Sequence, residues 1–155
     1  MDFLIEKATA ADTQAICHVV TTVLLEYNLK PDFNSTDQDL LDIPAFYLNN
    51  NGYFGIIRNL DCKVVGTFGL FAISEDICEV RKMYLLPEAR KMGLGQKMLQ
   101  ILLDEAKKRH FKKVQLETAS VLKEAIGLYK KFGFKEIQPT HLASRCDQAF
   151  ELELT

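Results

Sequence analysis

The hydrophobic pattern changes its period along the chain. Near the N-terminus, apolar residues recur at helical spacing and predict a helix from about Ala10 to Asn28. The apolar positions of this helix are Ile16, Val19, Val20, Val23 and Leu24. Further helices are predicted from Gly93 to Arg109 and from Leu122 to Phe132, and the capping-box spacing of Ser35-Thr36-Asp37-Gln38 predicts a short helix that begins there.

Strands are predicted where β-branched and aromatic residues dominate between turn residues. The predicted strands run from Phe3 to Lys7, Tyr53 to Arg58, Lys63 to Ile73, Ile77 to Leu85, Val114 to Glu117, Phe134 to Ile137 and Gln148 to Leu154. In the fourth of these, the apolar positions shift from even-numbered Val80 to odd-numbered Met83 and Leu85, so we expect a β-bulge between them. The element order β-α-α-β-β-β-α-β-α-β-β predicts an α/β fold with a mixed sheet, and no linker divides residues 1–155 into separate domains.

Composition and charge exclude several classes of protein. The chain has 19 Lys and Arg against 21 Asp and Glu, and this net charge of −2 argues against a protein that coats nucleic acid. It contains no run of ~18 apolar residues, so we expect no membrane span, and its acidic first residues are unlike a secretory signal. The cysteines lack the spacing of a zinc site, so we expect reduced thiols, no metal and a cytoplasmic protein. They are Cys17, Cys62, Cys78 and Cys146.

The segment from Glu79 to Gly95 carries the densest chemical information. A predicted strand stops at Pro87, a loop with two basic residues follows, and Gly93 and Gly95 open a helix. Glycines let a ligand approach the backbone, and the free N–H groups at a helix start favour an anion such as a phosphate. The same glycines could instead serve only a tight junction between loop and helix. A dinucleotide fingerprint is excluded because Met98 stands where its third glycine is required.

Two motifs of this chain resemble one known family. Arg90-Lys91-Met92-Gly93-Leu94-Gly95 resembles the Arg/Gln-x-x-Gly-x-Gly/Ala loop of the GNAT family of acetyl-CoA-dependent N-acetyltransferases. Downstream, Tyr129-Lys130-Lys131-Phe132-Gly133-Phe134 is similar to the family's Tyr-x-x-x-Gly-Phe signature. The resemblance is strong from about Val64 to Ile137, and it implies a GNAT fold with a mixed central sheet of about seven strands flanked by about four helices.

The resemblance also implies where acetyl-CoA binds, without a metal. The implied cofactor-binding residues lie on the strand before the loop and on the loop itself. They are Met83, Tyr84, Leu85, Arg90, Lys91, Met92, Gly93, Leu94, Gly95 and Gln96. Many family members carry an Asn near the start of the helix before the tyrosine, where it contacts the cofactor. Leu122 stands there in this chain, so the contact is lost or comes from another residue such as Ser120 or Lys123.

Transfer of an acetyl group to an amine requires a neutral amine and a proton for the departing thiolate. A carboxylate that acts directly or through water can serve as the base. The resemblance points first to Glu79, on the strand beside the acetyl group, and second to Glu117 on the neighbouring strand. It implies that Tyr129 protonates the thiolate, although Tyr129 also belongs to a stripe at helical spacing that would suit a plain core.

Two further groups of residues each have two interpretations. Four aspartates border the implied acceptor pocket, where they could attract an ammonium group or simply cap helices and stay solvated; they are Asp32, Asp37, Asp39 and Asp42. Three reactive residues precede the last strand and could contain a nucleophile pair; they are His141, Cys146 and Asp147. Direct transfer needs no covalent enzyme intermediate, so we interpret these three as part of the pocket wall.

The predicted function is an acetyl-CoA-dependent N-acetyltransferase. It would move the acetyl group to a primary amine of a small molecule or a protein, by direct transfer in a ternary complex. The alternative is an acyl-CoA-binding sensor or interaction module that has the same fold and no turnover. We expect neither nucleic acid nor membrane as a partner, and both a monomer and a homodimer remain open.

Overall fold

Residues 2–139 and 142–155 are described by a computed structural model, in which one sheet forms the centre. Its strands are β1 (Phe3–Lys7), β2 (Tyr53–Asn59), β3 (Val64–Ala72), β4 (Ile77–Leu85), β5 (Lys113–Thr118), β6 (Lys135–Ile137) and β7 (Gln148–Glu153). The α-helices of the described residues are α1 (Thr13–Glu26), α2 (Leu94–Lys108) and α3 (Lys123–Lys131). Shorter helical turns are the 3₁₀ helices Ala10–Asp12, Gln38–Asp42 and Pro87–Ala89 and the π-helix Pro44–Leu48.

The strand order is β1-β2-β3-β4-β5-β7-β6. Neighbouring strands are antiparallel except β4 and β5, which run parallel and are joined through α2. The predicted α/β class and the mixed sheet of about seven strands are confirmed, and α2 and α3 each begin and end within one residue of their predicted bounds. Among the described helices, none is both long and apolar enough to cross a membrane.

The core lies against the middle of the sheet. Residues 64–70 of β3 are all buried, which is typical of a central strand covered on both faces. Both α1 and α2 pack against β3 and β4. Gly55 on β2 makes room for an aromatic ring, because a Cβ there would lie 2.3 Å from the ring of Phe68. The apolar stripe predicted for the first helix is fully buried, as expected.

The strands β4 and β5 separate along their length. Residues 77–79 of β4 pair with residues 113–115 of β5, and the ladder between them ends there. The rest of both strands diverges, so no strand of the described residues pairs with residues 80–85 of β4 on the side that faces β5. Because backbone N–H and C=O groups need partners when they are buried, the gap between β4 and β5 is suited to a ligand with amide groups.

A β-bulge interrupts β4 at Lys82. Thr67 of β3 lies opposite Tyr84, whereas Gly69 lies opposite Arg81, so β4 has one extra residue between these pairs. Lys82 has a φ of 54°, in the left-handed region, and its carbonyl accepts a hydrogen bond of 2.7 Å from the Thr67 hydroxyl. The bulge predicted from the shift in apolar phase is therefore confirmed. It changes which side chains of β4 face each side of the sheet.

The prediction of a capping box at residues 35–38 is wrong, although the helix that it was expected to start is present. A short helix does begin there, as the 3₁₀ helix Gln38–Asp42, and the π-helix Pro44–Leu48 follows it. Asp37 is its N-cap residue but makes no capping hydrogen bond with its side chain. The carboxylate of Asp37 is occupied by partners from distant parts of the chain, Arg145 among them.

Candidate active site

Two cavities meet between the diverging ends of β4 and β5. The first, of about 520 Å³, is the carboxylate cavity, lined by Glu79, Glu117, Tyr129 and residues 142–146 among others. The second, of about 300 Å³, is the glycine-loop groove, lined by Leu85 and residues 90, 91, 93, 95 and 96 among others. The two cavities share four lining residues, which are Met83, Tyr84, Leu122 and Ala125. A molecule in one cavity can therefore reach a molecule in the other at this point.

The glycine-loop groove contains the start of α2. Gly93 is the N-cap residue of α2, with a φ of 76°, and no side chain caps the helix within the described residues. The first N–H groups of a helix have no acceptors within the helix, and they carry the positive end of its dipole. Apart from Gly93 and its chain neighbours, no atom of the described residues lies within 4 Å of a Cβ built on Gly93, so its φ, rather than crowding, favours glycine there. This arrangement is suited to an anion.

Most of the predicted cofactor-binding residues line the glycine-loop groove. Those that line it are Met83, Tyr84, Leu85, Arg90, Lys91, Gly93, Gly95 and Gln96. The other two do not: Met92 is 51% exposed, and the side chain of Leu94 is buried in the core. The groove therefore brings together residues of β4 and of the loop.

Arg90 fixes the loop rather than extending freely into the groove. Its guanidinium donates two hydrogen bonds of 2.7 Å to Glu26 at the end of α1, and its Nε donates one of 3.0 Å to the carbonyl of Leu85. The hydrogen bond to Glu26 is the main reason that the pKa of Arg90 is raised. Lys91, which has a φ of 64°, is exposed at the groove.

The carboxylate cavity brings together the three predicted catalytic residues. Glu79 lies at the last paired position of β4, where the strands begin to diverge, and its carboxylate is paired with the guanidinium of Arg81. That guanidinium also stacks on the ring of Phe71, at 3.8 Å from its centroid. Glu117 lies on β5 and accepts a hydrogen bond of 2.9 Å from the N–H of Ala143. Tyr129 reaches the cavity from α3.

Tyr129 is 5% exposed and packs beside two aromatic rings. Its ring centroid is 5.9 Å from that of Phe134 and 6.4 Å from that of Phe150. Burial raises the pKa of Tyr129 well above its ordinary value of 10.0, and nearby Tyr84 and Cys146 raise it further. The hydroxyl is therefore protonated at neutral pH.

A buried network of charges behind the carboxylate cavity was not predicted. Asp37 has no exposed surface, and its carboxylate accepts two hydrogen bonds of 2.7 and 2.6 Å from Arg145. The ammonium of Lys82 lies 3.2 Å from Asp37 and 3.4 Å from Asp39. The other carboxylate oxygen of Asp39 accepts a hydrogen bond from the hydroxyl of buried Tyr47. The phase shift in β4 indicated a bulge but gave no sign of these partners.

The four aspartates therefore divide into two kinds. The expectation that they cap helices and stay solvated is wrong for Asp37 and Asp39, which are buried because cations of distant segments neutralise them. Asp42 does cap, since it accepts a hydrogen bond of 3.1 Å from the N–H of Ala45. Asp32 closes a turn with the N–H of Asn34 at 3.1 Å and lines the cavity.

The remaining candidates lie around the same cavity. Cys146 lines it, as predicted for a wall residue, and burial raises the pKa of its thiol to about 11. Asp147 accepts hydrogen bonds of 2.8 and 2.7 Å from the N–H and hydroxyl of Ser120, so Ser120 is engaged there. Leu122 lines both cavities. His141 lies outside the described residues.

Within residues 2–139 and 142–155, no group of three or more His, Cys, Asp and Glu side chains is placed to hold a metal ion. In the carboxylate cavity, Glu79 is instead paired with Arg81, and Glu117 with the N–H of Ala143.

Comparison with known proteins identifies the family. The profile of the Acetyltransferase (GNAT) family matches residues 19–134. Over 139 residues, the chain is 33% identical to the uncharacterized N-acetyltransferase YjgM of Escherichia coli K12. The aligned region covers 86% of this chain and 83% of that protein. A GNAT acetyltransferase of Staphylococcus aureus Mu50 has the same fold, with a TM-score of 0.91, 22% identity and 99% of each chain covered. The yncA protein of Salmonella typhimurium, solved with acetyl-CoA, has a TM-score of 0.79 and 19% identity over 100% of this chain and 95% of that chain. This chain therefore belongs to the GNAT family of acetyltransferases.

Proposed function

We propose that this protein uses acetyl-CoA to acetylate a primary amine by direct transfer within a ternary complex. The observation that carries the proposal is the meeting of the two cavities at Met83 and Tyr84. A donor in the glycine-loop groove and an amine in the carboxylate cavity would come together there. The shared fold with yncA, which was solved with acetyl-CoA, supports this choice of donor.

The features of the glycine-loop groove fit CoA. Its pyrophosphate would bind at the uncapped start of α2, where N–H groups and the helix dipole favour negative charge. Its pantetheine amides would pair with the free edge of β4 at residues 83–85. Acetyl-CoA, when bound, supplies an acyl group that is activated as a thioester.

The base in this proposal is Glu79, with Glu117 acting through water as the second candidate. Glu79 lies where β4 and β5 begin to diverge, and Glu117 lies beyond the end of the same ladder on β5. One oxygen of Glu79 is taken by Arg81 and one oxygen of Glu117 by the N–H of Ala143. Within residues 2–139 and 142–155, the second oxygen of each carboxylate has no hydrogen-bond donor, so it would accept a proton from the substrate ammonium.

The acid in this proposal is Tyr129. As the amine nitrogen bonds to the acetyl carbon, the bond from that carbon to sulfur breaks and the sulfur leaves as a thiolate. Tyr129 would donate its hydroxyl proton to that sulfur, since a tyrosine hydroxyl is protonated at neutral pH.

The proposal is tested by release of CoA thiol from acetyl-CoA across a panel of amines, with calorimetric titration of acetyl-CoA in parallel. We expect binding together with amine-dependent thiol release. Binding without release on any amine would favour the sensor module, and absence of binding would overturn the proposal.

The two candidate bases are separated by comparing E79Q and E117Q. Removal of the base should lower kcat by about 10²–10⁴-fold and abolish the acidic limb of the pH–rate profile. The control is E136Q, because Glu136 is an exposed carboxylate on β6, outside both cavities. Equal and unchanged profiles for E79Q and E117Q would remove both residues from the mechanism.

A further inference from the structure

Asp37 joins two segments that shape the carboxylate cavity. It is fully buried, and each of its oxygens has two partners. One oxygen contacts Arg145 at 2.6 Å and Lys82 at 3.2 Å. The other accepts hydrogen bonds from Arg145 at 2.7 Å and from the N–H of Asp32 at 2.8 Å. One carboxylate thus links β4, the residues before the Gln38–Asp42 helix and the residues before β7.

Lys82 connects this carboxylate to the β-bulge. Its ammonium also donates a hydrogen bond of 3.1 Å to the carbonyl of Thr36, and its side chain is only 5% exposed. Its left-handed backbone is unfavourable for a residue that has a Cβ, so these contacts compensate for a strained position. The next two residues, Met83 and Tyr84, line both cavities. Whatever holds Lys82 therefore also holds the backbone at the point where the cavities meet.

Arg145 connects the same carboxylate to the wall of the carboxylate cavity. All of residues 142–146 line this cavity. Ala143 in this wall donates its N–H to Glu117. The side chain of Arg145 is 12% exposed, and both terminal nitrogens bind Asp37. Loss of this pair would free both the wall and the hydrogen bond that orients Glu117.

We propose that Lys82 and Arg145 are positioning residues for the acetyl transfer, which act through Asp37 to hold the bulge and the 142–146 wall in fixed relation. This inference rests on the proposed function. Neither cation is left free for a substrate, because both are already paired with Asp37. Their effect is on the placement of the amine relative to the acetyl group, and the anion site at the start of α2 lies outside the network.

The first test compares R145M with R145K and with R109M. Arg109 is a matched control, since it is also a partly buried arginine in an ion pair, with Glu105 at 2.8 Å, but it lines neither cavity. We expect R145M to lower kcat/KM for the amine by about 100-fold, because small misplacements of reacting groups have effects of that size. R145K should recover part of the loss, and the Kd for acetyl-CoA should stay within about twofold in every variant. Equal kinetics in R145M and R109M would overturn the proposal.

A second test does not depend on activity. Alkylation of Cys146 by iodoacetamide is followed by mass spectrometry of its peptide, with exposed Cys62 of the same sample as the internal reference. The positive charge of Arg145 lowers the pKa of the Cys146 thiol, so its removal alone would slow alkylation. Faster alkylation in R145M would therefore come from opening of the wall, and we expect an increase of several-fold. An unchanged or slower rate would contradict the proposal.

The double variant K82M/R145M tests whether the two cations act together. Because they share one carboxylate, we expect the double variant to lose less than the product of the two single losses in kcat/KM. Independent, multiplicative losses would show that Asp37 does not couple them. Should the wild-type protein acetylate no amine, the proposed function and the positioning role both fail, whereas faster Cys146 alkylation in R145M would still show that Arg145 holds the wall.

Discussion

The glycine-loop groove and the carboxylate cavity are built in different ways. The groove takes most of its lining from one continuous segment, which runs from β4 through the loop into the first turns of α2, and its anion site consists of backbone N–H groups. The cavity takes its lining from four separate parts of the chain, and its wall is fixed by ion pairs between side chains. A site made of backbone depends on φ and ψ, whereas a site held by ion pairs depends on every partner.

Because of this difference, substitutions should affect binding of the proposed donor and of the proposed acceptor differently. The donor side changes only when the backbone changes, so it can stay constant while surface side chains vary. The acceptor side can be altered by one substitution in Asp37, Lys82 or Arg145, because removing one partner of a buried pair leaves the other charge unpaired. A fold of this kind can therefore keep its donor while its acceptor changes.

The largest expected effect comes from Tyr129→Phe, which changes the carboxylate cavity and leaves the glycine-loop groove intact. Loss of the proton donor should lower kcat by about 10²–10⁴-fold with little change in the Kd for acetyl-CoA. Initial rates of thiol release and calorimetry measure both quantities. Tyr53→Phe is the control, since Tyr53 is a half-buried tyrosine of β2 outside both cavities. Equal rates for the two variants would exclude Tyr129 as the acid.

The next effect comes from Asp37→Asn, which breaks the ion pairs of the carboxylate cavity. It leaves two buried cations without their carboxylate, so we expect the free energy of unfolding to fall by about 3–5 kcal/mol. Urea unfolding measures this loss. Asp42→Asn is the control, since Asp42 is exposed and makes only a local cap. A loss no greater than that of the control would mean that the network contributes little to stability.

Asp37 also gives this network a pH dependence of known sign. Burial alone would raise its pKa, but hydrogen bonds from Arg145 and the N–H of Asp32, together with the charge of Lys82, lower it below the ordinary 3.8. A lowered pKa in the folded state adds stability above pH 3.8, and this stability is lost as the pH falls below that value. The acid unfolding of the Asp37→Asn variant should therefore lack this component, as circular dichroism at stepwise lower pH would show. Parallel acid-unfolding curves for the two proteins would contradict it.

A smaller effect is expected from Gly93→Val on the donor side. A β-branched residue at a φ of 76° is strained, and we expect a loss of stability of about 1–3 kcal/mol. The start of α2 should shift in response, and affinity for acetyl-CoA should fall about tenfold, which corresponds to ~1.4 kcal/mol. Calorimetric titration measures the affinity. Undiminished binding would show that the loop conformation at Gly93 is dispensable for the donor.

The smallest effect is a gain, from Gly127→Ala in α3. Gly127 is exposed within the helix, and outside the backbone of α3 no atom in the described part of the chain lies within 4 Å of a Cβ built on it. Alanine is favoured over glycine inside a helix by about 1 kcal/mol. Urea unfolding should show an increase of that size with unchanged kinetics. A loss of activity would mean that this face of α3 contacts a substrate.

The sequence predicted most of the fold because its information is local. Helical spacing placed α2 and α3, and the shift between Val80 and Met83 located the bulge. The glycine-loop groove could also be predicted, because its motif is contiguous in the sequence. The ion pair between Asp37 and Arg145 could not be predicted, because the two residues lie 108 positions apart and no local sequence pattern marks either of them. Asp37 looked like an ordinary helix cap for the same reason.

The gap between β4 and β5 has a consequence for the stability of the protein when the donor is scarce or abundant. A sheet that opens in its middle resembles one from which a strand has been withdrawn, and an extended ligand with amide groups would take the place of that strand. Binding of the proposed donor would then complete the architecture, and resistance to unfolding would rise with the logarithm of donor concentration. The amount of folded protein would thus depend on the supply of the acetyl donor that the protein consumes.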